Sequence, residues 1–370
     1  MVLPFTRQRT ELSRQRGKGG FQFLGLGVSH EASDFVSDTD RLTRLQLPLI
    51  ETGERLASSI GFSQQRLRWL AFHNEQTRSC NYHFFTVEKR SGGQRQLAAP
   101  RPHIDACSRW IQREILERIE AHPAAHGFVR GKSIQTNASL HTQQDVVVNL
   151  DLCDFFPSIV FRRVRGLFKS FGYNGQVATL LALLTTEPPR TEITNAAGNV
   201  WKATGPRHLP QGARTSPAIS NLVCRALDRR MTGLCRTLSW NYSRYADDMT
   251  FSAKGDAAKR VGYLLHRIRG IASDEGFTIN EDKTRVQRRS QSQEVTGLVV
   301  NDHVAVSRKT IRRVRAILHN ASSTGLAAQN VDGRENFTAW LEGMIGFIEQ
   351  TDSKRGAQLR AKLQELKSSS

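Results

Sequence analysis

Arg244-Tyr245-Ala246-Asp247-Asp248-Met249-Thr250-Phe251 is the stretch on which the reading of this chain turns. Trp240, Tyr242, Tyr245 and Phe251 surround two adjacent acids with aromatic, β-prone residues, which predicts a β-hairpin carrying Asp247 and Asp248 at its tip. Neighbouring side chains on a strand point to opposite faces, but at a tight turn both carboxylates can approach one point. Two such acids repel unless a cation lies between them or one takes a proton. Hard oxygen ligands of this kind suit Mg²⁺, which accepts one or two protein carboxylates together with substrate phosphates. Aspartate is also an ordinary turn residue, so the pair alone does not decide its own chemistry.

A second stretch does more. Val146-Val147-Val148-Asn149-Leu150-Asp151-Leu152 is a β-branched run that ends in an acid, which places Asp151 at the end of a buried strand. An acid there, beside an Asp-Asp hairpin, can complete a site for two cations about 4 Å apart, the arrangement used for phosphoryl and nucleotidyl transfer. Asp154 has the spacing of a turn residue. Phe156 follows Asp151 closely enough to reach the sugar of a bound nucleotide, where a ring would clash with a ribose 2′-OH; plain core packing is the other reading.

The totals agree with a nucleic-acid partner. The chain has 370 residues, 38% of them hydrophobic, and 53 Lys and Arg against 34 Asp and Glu, a net charge of +19. That excess is spread along the sequence and calls for a polyanion, most simply nucleic acid. No apolar run reaches the roughly 18 to 20 residues of a membrane span, and no basic amphipathic anchor stands out. The first residues lack the apolar stretch of a signal peptide, which points to the cytoplasm. The five cysteines are scattered with no C-x-x-C pair, which disfavours a zinc site or a disulfide framework.

Other stretches supply candidate ligand contacts. Tyr82 to Leu97 reads as strand, Gly-Gly turn, strand, with Lys89, Arg90 and Arg95 near a tip that can close over a triphosphate; a basic surface hairpin has the same pattern. Leu209-Pro210-Gln211-Gly212 precedes Ser216-Pro217, an N-cap followed by a first-turn proline, and Gly212 permits a close backbone approach to a ligand. Lys283 can serve as general acid toward a leaving pyrophosphate; an ordinary surface lysine is the other reading. Gly131-Lys132-Ser133 lacks the upstream glycine of a phosphate loop. His122 and His126 read as solvated or hydrogen-bonded loop histidines rather than metal ligands. Helices are predicted over residues 38–58, 63–72, 100–119, 161–171, 175–184 and 257–274, and a short strand over 295–300. Residues 1–37 form a basic arm, 38–300 the body, and 301–370 a helical basic segment in which Arg308, Arg312 and Arg313 are spaced to follow a phosphate backbone.

Taken in order, the strand-end Asp151, the Gln-Gly and Ser-Pro helix start, Tyr-Ala-Asp-Asp, and Gly-Phe-Thr-Ile-Asn with Lys283-Thr284 resemble the palm of a reverse transcriptase. The resemblance implies an α+β, right-hand polymerase fold: fingers, a palm of antiparallel sheet and helices, and a helical thumb. It implies that Asp151, Asp247 and Asp248, with the Leu152 carbonyl, bind two Mg²⁺ ions, with Mn²⁺ as a substitute. It implies that Lys89 and Arg95 touch the triphosphate of the incoming dNTP, that Phe156 is the sugar gate, and that Gln211 and Gly212 lie near the nascent pair. Asn137-Ala138-Ser139-Leu140-His141 and Val295-Thr296-Gly297 resemble the Asn-Ala-x-x-His and Val-Thr-Gly elements of retron reverse transcriptases. That resemblance implies RNA contacts at Asn137, His141, Val295, Thr296 and Gly297. It further implies a retron RNA (msr-msd) as template and 2′-OH primer, a branched msDNA product, and a separate effector protein in defence against phage. Two alternatives stay open: another bacterial reverse transcriptase of the diversity-generating, CRISPR-linked or abortive-infection type, and an RNA-binding scaffold that restrains an effector.

Overall fold

The computed structural model describes residues 36–72, 76–88, 92–195 and 198–368. Lys89, Arg90 and all but the last two residues of the expected basic arm lie outside these. The described chain opens with α1 (Thr39–Arg44), α2 (Gly53–Ile60) and α3 (Gln64–Ala71). The helical run expected over 38–58 is thus two helices. Gln46 adopts φ 55, and Pro48 follows where a helix has no amide to offer. Ser63 caps α3 as expected, its Oγ accepting from the Arg66 amide.

Strands β1 (Gln76–Thr77), β2 (Tyr82–Glu88) and β3 (Gln94–Pro100) come next, and β2 and β3 form the expected hairpin with Val87 opposite Arg95. They are followed by α4 (Pro102–Glu114), α5 (Ile134–Ser139), β4 (Val146–Leu152), α6 (Phe155–Ser158), α7 (Phe161–Ser170) and α8 (Gly175–Thr185). Then come β5 (Arg190–Asn195), β6 (Gly198–Ala203), α9 (Ser216–Val223), α10 (Arg225–Leu238), β7 (Asn241–Tyr245) and β8 (Asp248–Ala253). The chain continues through α11 (Val261–Asp274), β9 (Ile279–Arg288), β10 (Glu294–Val295), β11 (Leu298–Val299), α12 (Arg308–Ala328), α13 (Phe337–Glu349) and α14 (Ser353–Ser368). Two expectations shift here. The cap of α9 is Thr215 rather than Ser216, whose hydroxyl instead donates to the Pro210 carbonyl. The strand expected over 295–300 is a hairpin, β10 paired with β11 across Thr296 and Gly297. Among the described residues no helix is long and apolar enough to cross a membrane.

The chain divides into two compact units, each discontinuous in sequence: residues up to 122 with 153–227, and residues 123–152 with 228–370. In the first, β1, β6 and β5 form one sheet, and α8 is buried at every residue, which explains why its sequence has no polar face.

The second unit is built on a four-stranded antiparallel sheet in the order β7-β8-β4-β9. β4 is interior, with Val146, Val147, Val148, Leu150 and Leu152 all buried, as expected of a mainly aliphatic strand covered on both faces. Val147 also joins a core made by Ala138 of α5, Val295 and Leu298 of the β10–β11 hairpin, and Val314, Leu318, Leu341 and Ile345 of α12 and α13. Burial of this kind stabilises the fold by roughly 1.5–3 kcal/mol per large aliphatic side chain. The C-terminal helices are therefore anchored to the sheet through the Val-Thr-Gly hairpin.

Candidate active site

The sheet brings the three acids together at one end of its two central strands. Asp151, the penultimate residue of β4, lies directly opposite Asp248, the first residue of β8. Asp247 and Ala246 make the two-residue turn between β7 and β8, where Tyr245 pairs with Asp248. Ala246 takes φ 58, a conformation that two-residue hairpins demand and that alanine adopts only under constraint. The Leu152 amide donates to the Asp247 carbonyl at 3.1 Å, which ties the end of β4 to the turn.

The charges in this corner are under-compensated. Burial pushes the Asp248 carboxyl up to about 6, and the negative charges of Asp247 and Asp151 push in the same direction, while Lys283 and Arg285 act against them. Lys283 Nζ lies 3.1 Å from both carboxylate oxygens of Asp151, and the Asn280 amide approaches the same group at 3.5 Å. Among the described residues no three His, Cys, Asp or Glu side chains stand as a ready metal cage. The Lys283 ammonium thus supplies positive charge directly on Asp151. Crowded hard-oxygen donors with a raised carboxyl fit a divalent ion that completes its shell with substrate phosphate and water.

The turn is held from behind by groups that the sequence did not mark. Arg244 and Asp228 form a fully buried ion pair, with Arg244 Nε and Nη2 donating to the two Asp228 oxygens at 2.8 and 2.7 Å. Tyr242 Oη donates to the same carboxylate, and Arg244 Nη1 donates to the Ala246 carbonyl at 2.9 Å. Only α10 amphipathicity hinted at Asp228, and charged helix residues ordinarily face water.

The two elements expected to contact RNA pack against each other, α5 against the β10–β11 hairpin, with Thr296 Oγ1 donating to the Ile134 carbonyl. Asn137, His141 and Val295 are fully buried. In this fold their side chains face the protein interior. His141 instead bridges β7 and β8, its ring nitrogens 2.7 Å from the hydroxyls of Ser243 and Ser252. Thr296 is partly exposed and Gly297 exposed at the hairpin turn. Arg308 and Arg312 are exposed on α12; Arg313 pairs with Asp332 at 2.7 Å and lies over the Trp340 ring.

Burial pushes His141 down to about 3, with a smaller push from the charge of His126. It stays neutral in the fold, whereas the unfolded chain titrates near 6.5. The unfolded state thus binds the extra proton first. Stability is intact above about pH 6.5 and declines by about 1.4 kcal/mol per pH unit as pH falls from there toward 3. Urea denaturation at stepped pH should lose this component of slope in a His141→Gln variant; an unchanged slope contradicts it.

In the first unit, Arg95 is exposed opposite Val87, next to the Glu88–Gln94 pair at the turn end of the β2–β3 ladder, and Phe156 is partly exposed, packed on Phe155. Gln211 accepts from the Ala98 amide at 2.8 Å. Gly212 has φ 114, and a Cβ there would meet the Ala98 carbonyl at 3.0 Å. The close backbone approach it permits in this fold is to β3.

The family model described as reverse transcriptase (RNA-dependent DNA polymerase) matches residues 87–300. The retron Mx162 reverse transcriptase of Myxococcus xanthus is 41% identical over 367 residues, 93% of this chain and 74% of that protein. The retron Ec86 reverse transcriptase of Escherichia coli is 30% identical over 325 residues, 87% of this chain and 91% of that one. Among solved structures, telomerase from Candida albicans with a fragment of telomeric RNA aligns with a TM-score of 0.45 at 10% identity, over 77% of this chain and 63% of that one. Membership brings the right-hand polymerase fold, binding of an RNA template and dependence on a divalent metal. The chain belongs to the reverse transcriptases, the RNA-directed DNA polymerases, and among them to those of retrons.

Proposed function

We propose that this enzyme copies a structured retron RNA (msr-msd) from dNTPs, priming from a 2′-OH of that RNA, and yields branched msDNA. The work is cytoplasmic and, with a separate effector protein, belongs to defence against phage. The observation that carries the chemical part is the register that sets Asp151 opposite Asp248, with Asp247 in the adjoining turn.

In this reading Asp151, Asp247, Asp248 and the Leu152 carbonyl hold Mg²⁺. When bound, Mg²⁺ activates the attacking hydroxyl and neutralises charge on the leaving pyrophosphate. Lys283 carries a proton beside the site and delivers it to the pyrophosphate as general acid. Lys89 and Arg95 neutralise the triphosphate, Phe156 excludes a 2′-OH on the incoming sugar, and Gln211 and Gly212 border the nascent pair. Thr296 and Gly297, on a turn braced by α5, meet the RNA together with Arg308 and Arg312, while Arg313 holds the Trp340 corner.

Lys283 also competes for Asp151. Lys283→Met should therefore bind Mg²⁺ several-fold more tightly by titration calorimetry, while single-turnover incorporation falls by roughly 10²-fold, the usual scale of a general acid. Unchanged Mg²⁺ affinity contradicts the competition.

The test of the function is dNTP incorporation on two substrates, the neighbouring non-coding RNA and a generic primed RNA. Mg²⁺-dependent extension that chelation stops supports the reading, and no extension on either contradicts it. A Thr296→Ala variant should lose several-fold more on the cognate RNA than on the generic template. Equal losses contradict a role of that turn in choosing the RNA.

A further inference from the structure

Glu187, Arg190 and Arg207 form an ion cluster in the first unit that the chemistry above does not use. Glu187 and Arg190 are buried, and Arg190 Nε donates to Glu187 Oε1 at 2.7 Å. Arg207 Nη2 donates to the other oxygen, Oε2, at 3.2 Å, to the Thr186 carbonyl at 2.9 Å and to the Leu183 carbonyl at 3.3 Å. Only 18% of the Arg207 side chain is exposed. Glu187 and Arg190 would be neutral by themselves, so Arg207 is one cation more than charge balance asks. Burial pulls its guanidinium below the ordinary value; Glu187 acts against this and Arg190 adds to it. Its Nε is buried with no hydrogen-bond partner among the described residues. Both features cost stability that an apolar side chain would not. The carbonyls at the C-terminal end of α8 offset part of the charge.

What Arg207 holds is a short piece of chain. The Phe161 amide donates to the Arg207 carbonyl at 2.9 Å, and the Leu209 amide to the Ile159 carbonyl at 3.1 Å. On the other side the Glu187 amide donates to the His208 carbonyl at 3.0 Å, and the His208 amide to the Glu187 carbonyl at 3.3 Å. Residues 207–209 are thus the middle of a three-segment ladder, with Val160 and Glu187 both bridging to His208. The ladder leads to two places. Ile159 closes α6, its amide donating to the Phe156 carbonyl at 3.1 Å. Leu209 continues into Pro210, whose carbonyl accepts from Ser216 Oγ, and into Gln211, whose carbonyl accepts from the Ala98 amide of β3. Phe156 and the Gln211–Gly212 loop therefore hang from one segment, and Glu187 and Arg207 fix that segment to the end of α8.

We propose that Arg207, held by Glu187, is a positioning residue for sugar selection: it sets the spacing between the Phe156 ring and the Gln211–Gly212 loop, and with it the width of the slot for the incoming sugar. A 2′-OH differs from a 2′-H by one oxygen, so a ring that rejects it tolerates little displacement. A misplacement of about 1 Å can cost on the order of 10²-fold. The backbone ladder alone joins the segments to one another, whereas the guanidinium ties them to α8. Its planar fork meets a carboxylate and two carbonyls in fixed directions, which an ammonium does not. The inference rests on the reading of Phe156 as the sugar gate.

The test is single-nucleotide addition of a dNTP and of the matching rNTP on a primed RNA template. It compares full-length wild type with Arg207→Met, Arg207→Lys, Phe156→Ala and the double variant Arg207→Met with Phe156→Ala. Arg207→Met leaves the neutral Glu187–Arg190 pair in place. The preference for dNTP, read as the ratio of the two kcat/KM values, should fall roughly ten-fold in Arg207→Met, through KM, with kcat for dNTP held within about two-fold. Arg207→Lys keeps the charge without the fork and should fall part of the way. The double variant should discriminate no worse than Phe156→Ala, because both changes act on one slot. An arginine that only stabilises the fold would lower the active fraction, and so kcat for both nucleotides alike, and leave the ratio at its wild-type value. That result overturns the proposal, as does an additive loss in the double variant. If Arg207→Met does not fold, Arg207→Lys decides by the same ratio. Wild-type preference in Phe156→Ala overturns the gate reading and the inference with it. Lost preference in Phe156→Ala with none lost in Arg207→Met overturns the inference alone.

Discussion

Asp247→Asn protein should fold, bind RNA and make no DNA. Asparagine keeps the size of the side chain in the two-residue turn but removes one of three crowded negative charges. Asp247 is one of the causes that raise the Asp248 carboxyl, so the substitution relieves repulsion, and the melting temperature should hold or rise. Activity should move the other way. Groups that merely orient a metal ligand are worth 10- to 100-fold; loss of a direct anionic ligand should cost about 10³-fold or more. RNA binding, which we propose rests on exposed cations such as Arg308 and Arg312, should change little. A filter-binding isotherm, a melting curve and a single-turnover assay separate the three quantities. Normal DNA yield would remove Asp247 from the chemistry.

The second large effect lies behind the turn. Asp228→Ala leaves the Arg244 guanidinium buried without its carboxylate, with both side chains fully excluded from solvent. Breaking one partner of a buried pair costs about 3–5 kcal/mol, a large share of the roughly 5–15 kcal/mol of a whole domain. The double replacement Asp228→Leu with Arg244→Met should recover most of that stability, because no charge is left uncompensated. It should not recover synthesis, since the donor that fixes the Ala246 carbonyl is gone. Denaturant midpoints and incorporation rates measured on the same three proteins check both halves. A double variant that polymerises normally would show that Arg244 only stabilises the sheet.

Local pattern revealed Asp151, Asp247 and Asp248 because each sits where periodicity changes, at a strand end or in a turn. It revealed Ser63 and the β2–β3 hairpin for the same reason. It missed Asp228 and Arg244 because they are sixteen residues apart and nothing local says which of several charges on α10 turns inward. The RNA contacts of Asn137 and His141 are implied by resemblance alone; the structure buries both and sets His141 between the hydroxyls of Ser243 and Ser252 across the β7–β8 hairpin, a long-range pairing that has no local signature. The Val295–Val300 stretch read as one strand because Thr-Gly is a weaker turn signal than Asn-Gly or Asp-Gly. The interleaving of the two units, which the chain leaves and re-enters at 123, 153 and 228, has no local signature at all.

The most direct test of the central claim is to purify the protein from its native locus and sequence the nucleic acid that accompanies it. The account predicts single-stranded DNA joined through a 2′–5′ linkage to a structured RNA, released by a debranching enzyme. Unbranched DNA, or RNA that yields no DNA when Mg²⁺ and all four dNTPs are supplied, would contradict it.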